Sequence, residues 1–209
     1  MLRAVIVLFL LAAVTPSTWG QLSYDQFRSL MKTVRWLEGN DIAYREKVKL
    51  PGESEPRMMD CSNTVRYIYQ EALGIPLPRV ASGQYWELSR AGKITAAPTT
   101  IQGHVDTPRL LREMASGDLL FWEWTYNIKR TPPITHVMIY LGRDKNGIPR
   151  MAGSSSSRKN GGVGIYRFDP NASMGGVRNA SGKYIKRARF VGYGRPLEYA
   201  EHSSRVANR

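Results

Sequence analysis

The sequence predicts an α+β protein in which helices come first and an antiparallel sheet follows. Apolar residues recur at helical spacing over residues 22–38 and again after Asp60. After Ser116, short apolar runs alternate with turn residues, a pattern typical of strands. Segregated helices and strands of this kind indicate one α+β domain, and 209 residues suit one domain better than two.

Two of the predicted helices have recognisable ends. Ser23 is the predicted N-cap of the helix over residues 22–38. Asp60 is the predicted N-cap of the second helix, and Gly74 ends it. Cys61 therefore falls in the first turn of the second helix.

The remaining elements are predicted from weaker patterns. Residues 82–90 and 108–114 are predicted helices, with Thr107 as the cap of the latter. A loop-like stretch lies between them, and residues 144–147 form a predicted hairpin turn. The predicted strands are residues 118–124, 136–141, 150–153, 162–168 and 189–193.

The first twenty residues have the three-part pattern of a secretory signal peptide. Arg3 precedes an apolar run over residues 4–14, and small residues come before a predicted cut at Gln21. The run is shorter than the roughly 20 residues that a membrane span needs. We therefore expect an exported protein, periplasmic or secreted, without a stable membrane anchor. Its single domain would cover residues 21–197, followed by a loose polar tail over residues 198–209.

The charge and the cysteine count restrict the partners. The formal net charge is +13, from 30 Lys and Arg against 17 Asp and Glu, which favours polyanions. The chain carries no nucleic-acid-binding motif, so anionic cell-envelope material is the expected partner of an exported protein. One cysteine allows no intramolecular disulfide. Together with three scattered histidines it makes no metal ligand set, so no cofactor is expected. The oligomeric state stays open.

A cysteine at a helix start is a candidate nucleophile. Unpaired N–H groups and the helix dipole favour a thiolate there, and a nearby imidazole can take the thiol proton. His136 begins an apolar strand, whereas His104 lies in a predicted loop and His202 in the tail. His136 is therefore the predicted base for Cys61. The structural alternative, a small core cysteine and a merely hydrogen-bonded histidine, fits the same features.

The segments around these two residues resemble the NlpC-type cell-wall peptidases, as a divergent member of that family. The similar segments follow one another in the family's order over about residues 30–195. They are Trp36–Gly39 with Tyr44, Asp60-Cys61-Ser62 with Thr64–Tyr69, Gly74–Arg79, Gly117–Trp122 and His136–Gly142.

The resemblance implies a papain-like fold, in which N-terminal helices, including the nucleophile helix, pack on a C-terminal antiparallel sheet. It also implies a cysteine peptidase or amidase that hydrolyses amide bonds in peptidoglycan stem peptides. Cys61 would attack the carbonyl carbon and His136 would transfer the proton. Four positions match residues that line the family's substrate site and hold the free amine of the substrate. These are Tyr44, Asp60, Ser62 and Arg79.

Two departures from the family leave alternatives open. A polar residue that orients the histidine is expected near Ala152, which cannot do this. We expect Ser154 as the third catalytic residue, with Ser155 or Asn160 as alternatives, or none at all. Asn63 replaces a common glycine and is expected to narrow the cleft. The alternatives to the peptidase are a catalytically impaired wall-binding relative, the same fold acting on another amide, ester or acyl substrate, and a purely structural domain.

Overall fold

A computed structural model describes residues 21–45, 58–156 and 161–200. The predicted signal peptide, most of the loop before Met58, Asn160 and the tail from residue 201 lie outside the described residues. The helices are α1 (Tyr24–Gly39), α2 (Cys61–Leu73), α3 (Ala81–Arg90) and α4 (Thr107–Glu113). Residues 196–200 form one further helical segment.

One six-stranded antiparallel sheet dominates the second half of the chain. Its strands, in spatial order, are β3 (Ile94–Ala96), β10 (Arg189–Gly194), β4 (Leu119–Glu123), β5 (Ile134–Arg143), β6 (Pro149–Ser155) and β7 (Gly162–Arg167). Two small pairs accompany it. They are the parallel pair β1 (Ala43–Tyr44) and β2 (Met58–Met59), and the hairpin β8 (Gly176–Arg178) and β9 (Tyr184–Arg187).

Successive side chains along a strand point to opposite faces of the sheet, and the central strands place apolar side chains on both faces. Both faces of the sheet are therefore covered. On β5, Val137 and Ile139 face the cluster formed with α1, α2 and α3. Met138 and Tyr140 face the opposite side, in a cluster rich in aromatic rings. Packing within the first cluster therefore holds α2 against one face of β5, and this contact positions the start of α2.

Local chemistry fixes both ends of α2. The Asp60 carboxylate accepts the backbone N–H of Asn63 at 2.8 Å, which caps the helix start. Gly74 ends the helix in the left-handed conformation, with φ of 67°, where a residue without a Cβ is favoured. The predicted cap and stop of this helix are confirmed, and Cys61 is its first residue.

One predicted helix cap was wrong, and two pieces of β-structure were not predicted. Asp106, not Thr107, caps α4, because its carboxylate accepts the N–H of Arg109 at 3.1 Å. Strand β3 lies in the stretch predicted as a loop, and it has only three residues. The hairpin β8–β9 was also missed, because its polar, glycine-containing sequence lacks a strand pattern.

The C-terminal boundary also differs from the prediction. Glu198, expected in a loose tail, forms an ion pair with Lys93 at 2.9 Å. Tyr199 packs against the core cluster. These contacts attach Glu198 and Tyr199 to the folded part of the chain. Among the described residues, no helix is both long enough and apolar enough to cross a membrane.

Candidate active site

Cys61 lies where the start of α2 meets strand β5. Its side chain is buried, with 5% exposure. Its Sγ atom lies 4.0 Å from the carbonyl oxygen of Thr135, to which the thiol donates a weak hydrogen bond. The thiol proton is thus directed toward the β5 backbone. As the first residue of α2, Cys61 also belongs to the turn whose N–H groups have no partner within the helix.

His136 lies on β5 next to Thr135 and is also buried, with 5% exposure. It pairs in register with Trp122 of β4, and the two rings are in edge contact. The Nε2 atom of His136 is buried and has no hydrogen-bond partner among the described residues. No polar group in the described part of the chain therefore orients the imidazole through this nitrogen.

A cleft of about 750 Å³ joins these two residues. Cys61 and His136 both line its wall, so the structure brings the predicted nucleophile and the predicted base to one cavity. The described lining residues are Tyr44, Asp60, Cys61, Ser62, Arg79, Val80, Ala81, Thr125, Tyr126, Arg130, Thr135, His136, Ser155, Ser156, Ser173, Met174 and Gly175.

Burial favours the uncharged form of both groups. Desolvation raises the pKa of the Cys61 thiol from 9.0 to about 11, and backbone hydrogen bonds from β5 and α2 only partly offset this effect. Desolvation also lowers the pKa of His136 from 6.5 to about 4, against the opposing influence of the Asp60 carboxylate. The expected thiolate stabilisation at the helix start is therefore outweighed by loss of water. At neutral pH the site holds a thiol and a neutral imidazole.

Asp60 is the centre of a polar network on one side of the cleft. Arg79 donates to both of its carboxylate oxygens, with the shorter contact at 2.7 Å. Ser62 donates its hydroxyl to Asp60 at 3.1 Å and accepts from Arg79 at 3.2 Å. Tyr44 lines the same cleft. The structure thus places all four predicted substrate-contacting residues in the cleft that Cys61 lines.

Ser154 is placed away from the cleft. Its side chain is fully buried, and its hydroxyl donates to the Met59 carbonyl at 3.0 Å, behind the start of α2. It is not among the residues that line the cleft. This placement argues against Ser154 as the third catalytic residue. Ser155 lines the cleft, and the alternative Asn160 lies outside the described residues.

Two neighbouring positions clarify the departures from the family. Ala152 is fully buried and pairs with Ile139, so its methyl group belongs to the core. Asn63 is buried and absent from the cleft lining, so the expectation that it narrows the cleft was wrong. The Asn63 side-chain nitrogen has no hydrogen-bond partner among the described residues.

One wall of the cleft was missed by sequence reasoning. The connection between β4 and β5 contributes Thr125, Tyr126 and Arg130. Arg130 donates to the Ile134 carbonyl at 2.8 Å. It forms no ion pair within the described segments. These residues form a loop without hydrophobic periodicity. The one sequence signal for this wall was the charge of Arg130, close to the strand that contains His136.

The fold is papain-like, because a helix that bears a cysteine packs on an antiparallel sheet that bears a histidine, and both residues line one cleft. Residues 49–166 match the NlpC/P60 family, and this match covers more than half of the chain. The protein therefore belongs to the NlpC/P60 family, whose members are generally cysteine peptidases or amidases of the cell wall. A search of curated proteins found no match. Both the family prediction and the α+β papain-like fold are confirmed.

Proposed function

We propose that this protein is an exported cysteine hydrolase that cleaves amide bonds in peptidoglycan stem peptides. The observation that carries the proposal is the shared cleft of Cys61 and His136 in a chain that matches the NlpC/P60 family. Export rests on the signal-peptide pattern of residues 1–20.

The neutral resting pair defines the order of proton transfers. When substrate enters, the Cys61 thiol turns from the Thr135 carbonyl and gives its proton to His136 as Sγ attacks the scissile carbonyl carbon. The developing oxyanion accepts from the Cys61 backbone N–H. His136 then protonates the leaving amine, which departs as the C–N bond breaks. Water, deprotonated by His136, hydrolyses the thioester and restores the thiol.

The polar network around Asp60 suits the free amine of a stem peptide. A carboxylate, a hydroxyl and a phenol accept hydrogen bonds from an ammonium group, and Asp60, Ser62 and Tyr44 supply these groups in the cleft. Arg79 holds the Asp60 carboxylate in place through its two contacts. In this proposal Asp60 has two functions, because it also caps α2.

A catalytically impaired wall-binding relative is the second candidate. The observation that favours it is the lack of a polar partner for His136 Nε2 among the described residues, together with the core placement of Ala152. Removing the residue that orients the base lowers activity without always abolishing it. This candidate predicts wall binding without cleavage.

One experiment separates the two candidates. The purified protein and its Cys61→Ala and Cys61→Ser variants are incubated with soluble peptidoglycan fragments, and new amine termini are quantified by mass spectrometry. We expect cleavage by the wild type and none by either variant. Equal binding to walls with no cleavage by any of the three proteins contradicts the hydrolase and supports the impaired relative.

A further inference from the structure

The hairpin β8–β9 carries an unusual concentration of positive charge. Residues 176–187, called the basic hairpin below, contain four cations and no acidic residue. The cations are Arg178, Lys183, Lys186 and Arg187, all of them exposed. The basic hairpin lies beyond residues 49–166, so the match to the family does not account for it.

Aromatic rings, rather than carboxylates, hold three of these cations. The guanidinium carbons of Arg178 and Arg187 lie 3.6 Å and 4.9 Å from the ring centroid of Tyr184. The Lys186 ammonium lies 3.4 Å from the ring centroid of Trp124. None of the four cations is paired with an acid in the part of the chain that the structure describes. Stacking on a ring orders a cation without neutralising it, so its charge stays available to a ligand.

The basic hairpin is attached to the rim of the catalytic cleft. Met174 and Gly175, directly before it, line that cleft, and the Ala188 N–H donates to the Gly175 carbonyl at 3.0 Å across its base. A second groove of about 500 Å³ includes Arg187. Ser173 lines both this groove and the catalytic cleft. A long ligand could therefore contact the basic hairpin and the cleft together.

We propose that the basic hairpin binds an extended polymer with repeated anionic groups and holds it beside the catalytic cleft. Four separate exposed cations fit a row of charges better than a single carboxylate, and guanidinium groups match both phosphate and carboxylate oxygens. An anionic membrane fits less well, because membrane adhesion needs an apolar face. Ile185, with 60% exposure, is the one large exposed apolar residue among the described residues of the hairpin. The binding does not depend on the Cys61 thiol.

The test compares two quadruple variants of the full chain. R178Q/K183Q/K186Q/R187Q removes the charges of the basic hairpin. The matched control, K32Q/R66Q/R90Q/K145Q, removes the same number of exposed cations elsewhere. Binding is measured by fluorescence anisotropy to labelled long-chain polyphosphate and poly-L-glutamate at low salt. Pyrophosphate and neutral dextran are competitors, and circular dichroism verifies that each variant is folded.

We expect the hairpin variant to lose about tenfold or more in polyanion affinity, and the control variant to lose about threefold or less. The salt dependence of binding should become weaker only in the hairpin variant. Long-chain polyphosphate should compete better than pyrophosphate at equal phosphate concentration. The polymer that binds more tightly identifies the preferred anion.

Equal losses in both variants, no binding by the wild type, or tighter binding to anionic vesicles than to either polymer would overturn the proposal. The variant R178K/R187K, which keeps the charge, should retain most of the affinity. Cleavage of a short soluble fragment should be unchanged in the hairpin variant, so the two proposals fail separately.

Discussion

The indole ring of Trp122 meets the imidazole ring of His136 edge-on, with ring centroids 5.7 Å apart and planes inclined by 60°. The Trp122 ring is itself held by edge contacts with Phe168 and Phe190. Aromatic packing thus restricts the imidazole in a chain whose Ala152 supplies no polar orienting group. Trp122 is a positioning residue in this view, because it acts on substrate only through His136.

Replacing Trp122 tests this positioning role. We expect W122L to lower kcat by about tenfold or more, because small misplacements of a catalytic group are costly, and W122F to lower it less. W122L also admits water to the imidazole, so the acid limb of the pH–kcat profile should move from about pH 4 toward 6.5. Phe190→Leu is the control, because Phe190 packs on Trp122. An equal loss of kcat in F190L, without a displaced acid limb in W122L, would show that the effect is only structural.

Acid should destabilise the protein through His136. Its folded-state pKa of about 4 lies below the ordinary 6.5, so the unfolded chain binds the proton first as pH falls. The stabilisation that this residue contributes is present above pH 6.5 and is lost between pH 6.5 and 4, up to about 3 kcal/mol. Urea unfolding at several pH values should reveal this slope, and His136→Gln should reduce it. An unchanged slope in that variant would contradict the assignment.

Alkali should have the opposite effect through Cys61. Its pKa is raised from 9.0 to about 11, so the stabilisation is present below pH 9 and is lost as pH rises toward 11. The rate of iodoacetamide alkylation should accordingly rise with a midpoint well above pH 9. The urea-unfolded protein serves as the reference for an ordinary thiol. A folded protein that reacts with the same midpoint as the unfolded chain would contradict a buried, protonated thiol.

Two substitutions of Asp60 separate its structural function from its electrostatic one. Both variants lose the ion pair with Arg79, but Asn can replace Asp as a helix cap and Ala cannot, so D60A should cost about 1 kcal/mol more in the free energy of unfolding than D60N. Both remove the charge that Arg79 contacts. Both should therefore raise KM for substrates with a free amine, but not for N-acetylated ones. If D60N leaves KM unchanged for the free amine, Asp60 is only a cap.

Ser154→Ala should affect stability more than catalysis. The substitution removes one of two hydrogen bonds to the Met59 carbonyl, which also accepts from the Arg45 N–H at 3.4 Å, at a cost of about 0.5–1.5 kcal/mol. Because Ser154 does not line the cleft, kcat should change by less than about threefold. Thermal unfolding and steady-state kinetics on the same preparation provide the check. A folded S154A protein with a kcat reduced a hundredfold would restore Ser154 as a catalytic candidate.

The sequence predicted those parts of the site that depend on local chemistry. The Asp60 cap, the first-turn position of Cys61 and the apolar strand containing His136 all follow from short patterns, and the fold brings them together. Ser154 illustrates the limit of such reasoning. A serine near the expected position is indistinguishable in sequence from a catalytic one, because only the tertiary contact with Met59 reveals its partner.

The ionisation states could not be predicted for a related reason. A helix start favours a thiolate, but burial opposes it, and the extent of burial depends on how α2 packs against β5. The loop wall with Arg130 and the hairpin β8–β9 were missed because neither has a periodic apolar pattern. Only the tertiary fold brings the Arg130 loop to the cleft and attaches the hairpin to its rim.

The enclosure of Cys61 also determines how the protein tolerates oxidants. Peroxides and disulfides react with thiolates far faster than with thiols, because the thiolate is the attacking nucleophile. A thiol that is 5% exposed and has a pKa of about 11 offers a thiolate fraction on the order of 10⁻⁴ at pH 7. The chain has no second cysteine that could trap a sulfenic acid as a disulfide. Its position in the fold therefore slows the oxidation of this sulfur atom.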